Sequence, residues 1–193
     1  MALRSVKDAD GKGWLRVRHA NGSEFPPLPQ KLKVDLTRTD GGREYFTIQE
    51  GRMKGGRASV KVPAAAGSYL EPRVLHEASG TIRFDKKKEQ LWYGSTGPIA
   101  AITDETNPVP DGTFNLEIPY EAHALAVTYE SQSRFAKTWF RIGHEGDRFL
   151  HPGRVSAGCI TVTDIPGWTA IYAYLIGRRA NDTISVGIVE VTS

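Results

Sequence analysis

The 193-residue sequence predicts a mainly β fold: a β-sandwich-like domain with one principal helix, preceded by a small β-rich N-terminal segment. Three observations predict it. Twenty glycines and eleven prolines break the chain at short intervals, which suits strands and turns better than a helical bundle. Stretches of alternating apolar and polar residues recur from Trp14 to Val191. Only one stretch, Trp168, Ile171, Tyr172 and Leu175, falls at the i, i+3, i+4, i+7 spacing of a helix face. A hydrophobic content of 39% and a charged content of 24% are those of an ordinary globular chain. Its length allows one sizeable core, or one domain plus a small accessory one.

Residues 1–32 read as an irregular leader in which Trp14-Leu15-Arg16-Val17-Arg18 alternates like a short strand and Asn21-Gly22 marks a turn. Pro26, Pro27 and Pro29 are expected to break any element there, as a plain linker. Residues 32–36, 45–48 and 58–62 read as strands of a small meander, separated by the glycines at 41–42 and 51–56. Pro63-Ala64-Ala65-Ala66-Gly67 is the boundary candidate, dividing a β-rich accessory segment 1–75 from a domain 76–193. In that domain 81–84 and 90–93 flank the Lys86-Lys87-Lys88 turn as a hairpin, and 97–102 follows as a third strand. The loop 107–112 leads into a strand at 113–118, and further strands are predicted at 124–129 and 137–142. After a strand opening at Cys159, Asp164 is placed to cap the helix with Pro166 in its first turn. Gly177 ends the helix, and 183–191 alternates as a last strand.

Composition excludes several function classes. A net charge of +3 is a weak pull toward polyanions, and the lysine run has no interleaved aromatic residues to stack bases, so no nucleic-acid partner is expected. Neither G-x-x-x-x-G-K-[ST] nor G-x-G-x-x-G occurs. A single cysteine forms no internal disulfide and lacks the paired-ligand spacing of zinc sites, so no metal and no cofactor is expected. Residues 1–20 are charged throughout, with no apolar signal-peptide core, and no apolar run approaches membrane-spanning length. The expectation is a chain that does not insert in a membrane and is either cytoplasmic or delivered to the periplasm by a route independent of a cleaved signal.

The chemistry-bearing residues concentrate between Trp139 and Thr163. Cys159 is the lone thiol, and His144 and His151 precede it by fifteen and eight residues. A thiol becomes a strong nucleophile only as thiolate, which a neighbouring imidazole can generate. Ser156-Ala157-Gly158 before the cysteine is small and conformationally free, so amides of Gly158 and Cys159 can face a developing oxyanion. A lone cysteine is also compatible with a small buried hydrophobe, and Ser156 with a turn serine bonding local backbone. Arg154 can pair a substrate carboxylate through its fork or stay solvated.

Ile142-Gly143-His144-Glu145-Gly146-Asp147, then Pro152-Gly153, then Ser156-Ala157-Gly158-Cys159-Ile160, resembles the signature of the L,D-transpeptidase (YkuD-type) catalytic domain. The spacing is closest in motif to divergent type VI secretion effectors of that family. The resemblance spans roughly residues 80 to 192. It implies a cysteine acyltransferase or hydrolase acting on peptidoglycan stem peptides, with Cys159 as nucleophile, His144 as general base and Ser156 orienting the loop or substrate. His151 is the rival base, or lines the substrate groove, and Arg154 is a candidate substrate contact. Secretion machinery or an immunity protein is the further partner implied. Glu145 intervenes where the family has His-Gly, and Thr161 stands where many members carry Arg or Asn, so carboxylate recognition does not carry over to that position.

Overall fold

Alternation of buried and exposed side chains along the chain builds two separate principal sheets. The computed structural model describes residues 2–63 and 67–193, so Ala64, Ala65 and Ala66 of the boundary candidate lie outside the described residues. Two compact units result, residues 1–75 and 76–193.

The first unit holds β1 (Ala2–Val6), β2 (Trp14–His19), β3 (Glu24–Pro29), β4 (Lys33–Asp40), β5 (Arg43–Ile48), β6 (Arg57–Lys61) and β7 (Leu70–Glu71). They form one sheet in the order β3-β2-β6-β5-β4-β1-β7. Leu28, Leu32, Val34, Phe46 and Ile48 supply its core. The leader is therefore structured: residues 2–6 are a strand, and the proline-rich 24–29 is another. Proline is tolerated in β3 because that strand lies at the sheet's edge, where one row of N–H groups has no ladder to join.

The second unit continues with β8 (Glu77–Ala78), β9 (Gly80–Asp85), β10 (Gln90–Tyr93), β11 (Thr96–Ile102), β12 (Gly112–Glu117), β13 (Phe140–Arg141), β14 (Phe149–Pro152) and β15 (Ile160–Val162). It ends with α1 (Trp168–Ile176), β16 (Arg178–Arg179) and β17 (Ser185–Thr192). Eight strands form a sheet in the order β12-β17-β9-β10-β11-β15-β14-β13, and β8 pairs β16. An isolated bridge between Leu116 and Ile142 brings the two ends of the large sheet together. The result is a sheet folded over into a sandwich-like layer pair around Ile82, Phe84, Leu91, Leu116, Phe140, Leu150 and Val189, all essentially buried. Among the described residues the fold is mainly β with one α-helix.

The helix buries the predicted stripe, with Trp168, Ile171, Tyr172 and Leu175 fully inside. Phe135 stacks on Tyr172 at 4.0 Å, and its carbonyl accepts from Trp168 Nε1 at 3.1 Å. The N-cap is Gly167 rather than Asp164. Asp164 instead accepts from the Gly167 amide at 3.2 Å, holding the turn that leads into the helix. Residues 124–129 form a short 3₁₀ turn, not the predicted strand. Their alternation has no sheet to bury it, and Leu125 and Val127 stand exposed.

Candidate active site

The site is built by an unusual connection. β14 and β15 run parallel, in register Leu150 to Ile160 and His151 to Thr161, yet only residues 153–159 join them. Parallel neighbours generally need a crossover of a dozen or more residues. A connection this short has to double back tightly, and Gly158 takes a left-handed φ of 97° to do so. A Cβ at Gly158 would lie 3.0 Å from the Asn107 carbonyl oxygen and 3.2 Å from Arg148 Nη1, so the close fit also requires glycine. The return delivers Cys159 beside Phe149 at the entry to β14.

Cys159 is 8% exposed. Its Sγ accepts from the Phe149 amide at 3.3 Å and lies 3.9 Å from the Asp147 carbonyl oxygen. Burial pushes the thiol above its ordinary pKa, the Phe149 N–H and the Arg148 charge pull it down, and Asp147 adds to the rise. At rest the sulfur is therefore a protonated thiol, and thiolate formation requires a base. Ser156 Oγ donates to the Cys159 carbonyl at 2.9 Å, so the serine staples the loop across the cysteine.

Arg148 organises the other side of the loop. Its Nη1 donates to the carbonyls of Gly158 and Pro108, each at 2.8 Å, and Nη2 to Asn107 Oδ1 at 2.8 Å. One guanidinium thus ties the 107–108 loop to the cysteine turn. It also lines a cavity of about 420 Å³ whose apolar wall is Val109, Phe114 and Ile142 and whose polar rim includes His144 and Glu145.

His151 shares its sheet face with Cys159, because alternate residues of adjacent strands point the same way. It is 7% exposed. Nδ1 donates to the Pro152 carbonyl at 3.0 Å, which leaves the lone pair on Nε2, 3.1 Å from Thr161 Oγ1. Burial holds the imidazole down to about 4, so it is neutral at pH 7. Trp139 stacks on its face at 4.3 Å, and His123 stacks on Trp139 at 4.0 Å. Burial lowers the His123 pKa as well.

His144 sits on the loop after β13 with both ring nitrogens engaged. Nδ1 lies 2.9 Å from Oε1 of the buried Glu117, and Nε2 lies 2.8 Å from Asn115 Nδ2 and 3.9 Å from Asp182 Oδ2. Arg154 is exposed on the connecting loop. The β14–β15 pair and its loop therefore gather Cys159, Ser156, Gly158 and His151, whereas His144 keeps company with β12. Arg148, Asn107, Glu117, Trp139 and the Thr161 hydroxyl complete the surroundings and were not visible as site residues in the sequence. Arg148 and its partners at 107 and 108 are some forty positions apart, and no local spacing marks them as neighbours. Among the described residues no group of three or more His, Cys, Asp or Glu side chains is arranged to hold a metal ion.

Fold and site together define a mainly β, sandwich-like domain with an imidazole on β14 and a thiol at the residue that opens onto its parallel neighbour β15. No protein-family model matches the chain, and no curated protein matches it. Solved structures similar to it include an L,D-transpeptidase from Mycobacterium tuberculosis H37Rv, at 14% identity over 84% of this chain and 81% of that one, with a TM-score of 0.41. L,D-transpeptidase 1 of Mycobacterium tuberculosis is similar at 11% identity over 100% and 96%, with a TM-score of 0.39. L,D-transpeptidase 3 of the same organism, in complex with a faropenem-derived adduct, is similar at 12% identity over 84% and 82%, with a TM-score of 0.40.

Proposed function

We propose that the protein is a cysteine acyltransferase or hydrolase of L,D-transpeptidase type, acting on peptidoglycan stem peptides. The observation that carries this reading is His151: a buried, neutral imidazole, its tautomer set by the Pro152 carbonyl, on the same sheet face as Cys159. The sequence signature around Cys159 supplies the substrate class. In this reading the base is His151, which shares a sheet face with Cys159, rather than His144, whose partners Glu117 and Asn115 lie on β12.

His151 Nε2 takes the thiol proton, and the thiolate attacks the carbonyl on the L side of an L,D peptide bond. Amides of Gly158 and Cys159 face the resulting oxyanion. As the tetrahedral intermediate collapses, the imidazolium returns its proton to the departing D-amino acid nitrogen and the C–N bond breaks, leaving a thioester. Water or another amine then attacks the thioester, giving its proton to His151, and Cys159 leaves as the thiol. Arg148 positions the cysteine turn, and the adjoining cavity takes substrate atoms flanking the scissile bond. Placement among type VI effectors, with delivery by a secretion machine and an immunity protein as partner, rests on the motif spacing. Co-purification from the producing cell with a protein that blocks turnover would support it.

The deciding experiment is incubation with disaccharide tetrapeptide and mass spectrometry of the products. Loss of the terminal D-amino acid, dependent on Cys159, supports the reading, and an unchanged substrate overturns it. The burial of Cys159 favours a second reading, a non-catalytic wall-binding or structural β module with an inert thiol. An alkylating probe that fails to label Cys159 in the folded chain at any pH, together with retained binding to peptidoglycan, would establish that alternative.

A further inference from the structure

In the N-terminal sheet β2 and β6 pair only through Arg18 with Ser59 and His19 with Ala58. Beyond those two positions the strands separate, toward Arg16 on one and Lys61 on the other. The seam encloses a cavity of about 520 Å³. Its lining includes four cations, Arg16, Arg18, Arg43 and Lys61, against one carboxylate, Glu24. Val17, Phe25, Pro27 and Val60 form its apolar walls.

The cations divide into two kinds. Arg43 is anchored on Ser59, donating to Oγ at 2.9 Å and to the carbonyl at 3.2 Å, and Arg18 donates to the Gly22 carbonyl at 3.1 Å. The side chains of Arg16 and Lys61 are exposed and make no hydrogen bond or ion pair among the described residues. Charge is also segregated along the chain. Residues 1–75 carry fourteen Lys and Arg against eight Asp and Glu, whereas residues 76–193 carry eleven against fourteen. The overall +3 thus conceals a distinctly basic N-terminal unit.

We infer that this open seam is a binding site for a saccharide bearing two or more phosphate groups. Guanidinium forks match phosphate oxygens through paired N–H donors, and three of the four cations are arginines. The excess of cations over Glu24 calls for a ligand of multiple negative charge. The walls of Phe25 and Pro27 suit the apolar face of a sugar ring. A nucleic-acid strand requires a succession of ring platforms along a basic track. Among the described residues that line the cavity Phe25 is the one aromatic ring, a single wall rather than a succession of platforms. The site is independent of the cysteine chemistry.

The test is titration calorimetry of the full chain at low salt with glucose 1,6-bisphosphate, glucose, inorganic phosphate and a short single-stranded oligonucleotide. Saturable binding of the bisphosphate, with phosphate weaker and glucose silent, is expected. The double variant Arg16→Ala/Lys61→Ala should bind at least ten-fold more weakly at an unchanged melting temperature, and Cys159→Ala should bind like the parent. Arg18→Ala serves as a second variant should the first fail to fold. No binding of the bisphosphate, or unaltered binding by folded variants, overturns the inference, and tighter binding of the oligonucleotide overturns the saccharide chemistry.

Discussion

At the residue scale the reading turns on which imidazole serves Cys159. Cys159→Ala should abolish turnover while the unit stays folded, because alanine fits a site that is small and nearly closed. Retained wild-type activity would end the mechanism. His151→Ala should lower the acylation rate by at least the ~10²-fold typical of lost general-base help, and His144→Ala by less. Single-turnover acylation measures both, and the opposite ranking returns the base to His144. The same histidine leaves a trace in stability. Its pKa falls from about 6.5 in the unfolded chain to about 4 when buried. Between these values the unfolded chain binds a proton that the folded chain refuses. The contribution is fully present above about pH 6.5 and is lost as pH falls through about 4, on the order of 3 kcal/mol for one such group. His123 acts in the same direction. The lowered carboxylates Asp85, Asp104, Asp111 and Asp182 titrate below that window. Urea midpoints at pH 7 and pH 4.5 should fall further apart in the parent than in His151→Gln.

At the element scale, close strand approach and short connections decide the geometry. In the parallel pair of β9 and β17, Gly187 faces Gly80. A Cβ on Gly187 would collide with the Gly80 carbonyl oxygen, so Gly187→Ala must push β9 and β17 apart. Overpacking of this kind costs about 1–3 kcal/mol or more, and equilibrium urea unfolding should register at least that. An unchanged midpoint would mean the two strands separate freely. Much of this tier was legible beforehand. The hairpin of β9 and β10, strand β12, the apolar stripe of α1 and the last strand all follow from alternation and helical spacing. The edge strand β3 was not, because proline signals a break unless the strand's place in the sheet is known. β14 was not, because four residues, Phe149-Leu150-His151-Pro152, are buried throughout and show no alternation. The family resemblance favoured His144 as base, and β14 adds the register that sets His151 on the face of Cys159.

At the scale of the whole molecule, the reaction outcome is the open consequence. Thr161 is fully buried and its hydroxyl lies on His151 Nε2, so it offers no charged anchor for a substrate carboxylate. The cavity beside Arg148, about 420 Å³, is of a size for one small ligand and takes the donor's atoms in the mechanism above. Hydrolysis or exchange with a small amine should therefore dominate over cross-linking. With tetrapeptide muropeptides, with and without a free D-amino acid, tripeptide or exchanged tetrapeptide should be the main product. Abundant 3–3 cross-linked dimer would contradict this.

The sequence by itself determined the β class, the single helix and its buried face, and the thiol with a small, flexible run before it. Those are local properties: alternation, helical spacing and residue type act over a few positions. Only the tertiary structure decided which histidine shares a face with Cys159, that Arg148 binds the 107–108 loop to the cysteine turn, and that β2 and β6 part to leave a basic seam. Each depends on strand order and register between segments far apart in the chain. A one-residue change of register reverses the face of every side chain, and no short-range pattern encodes that choice.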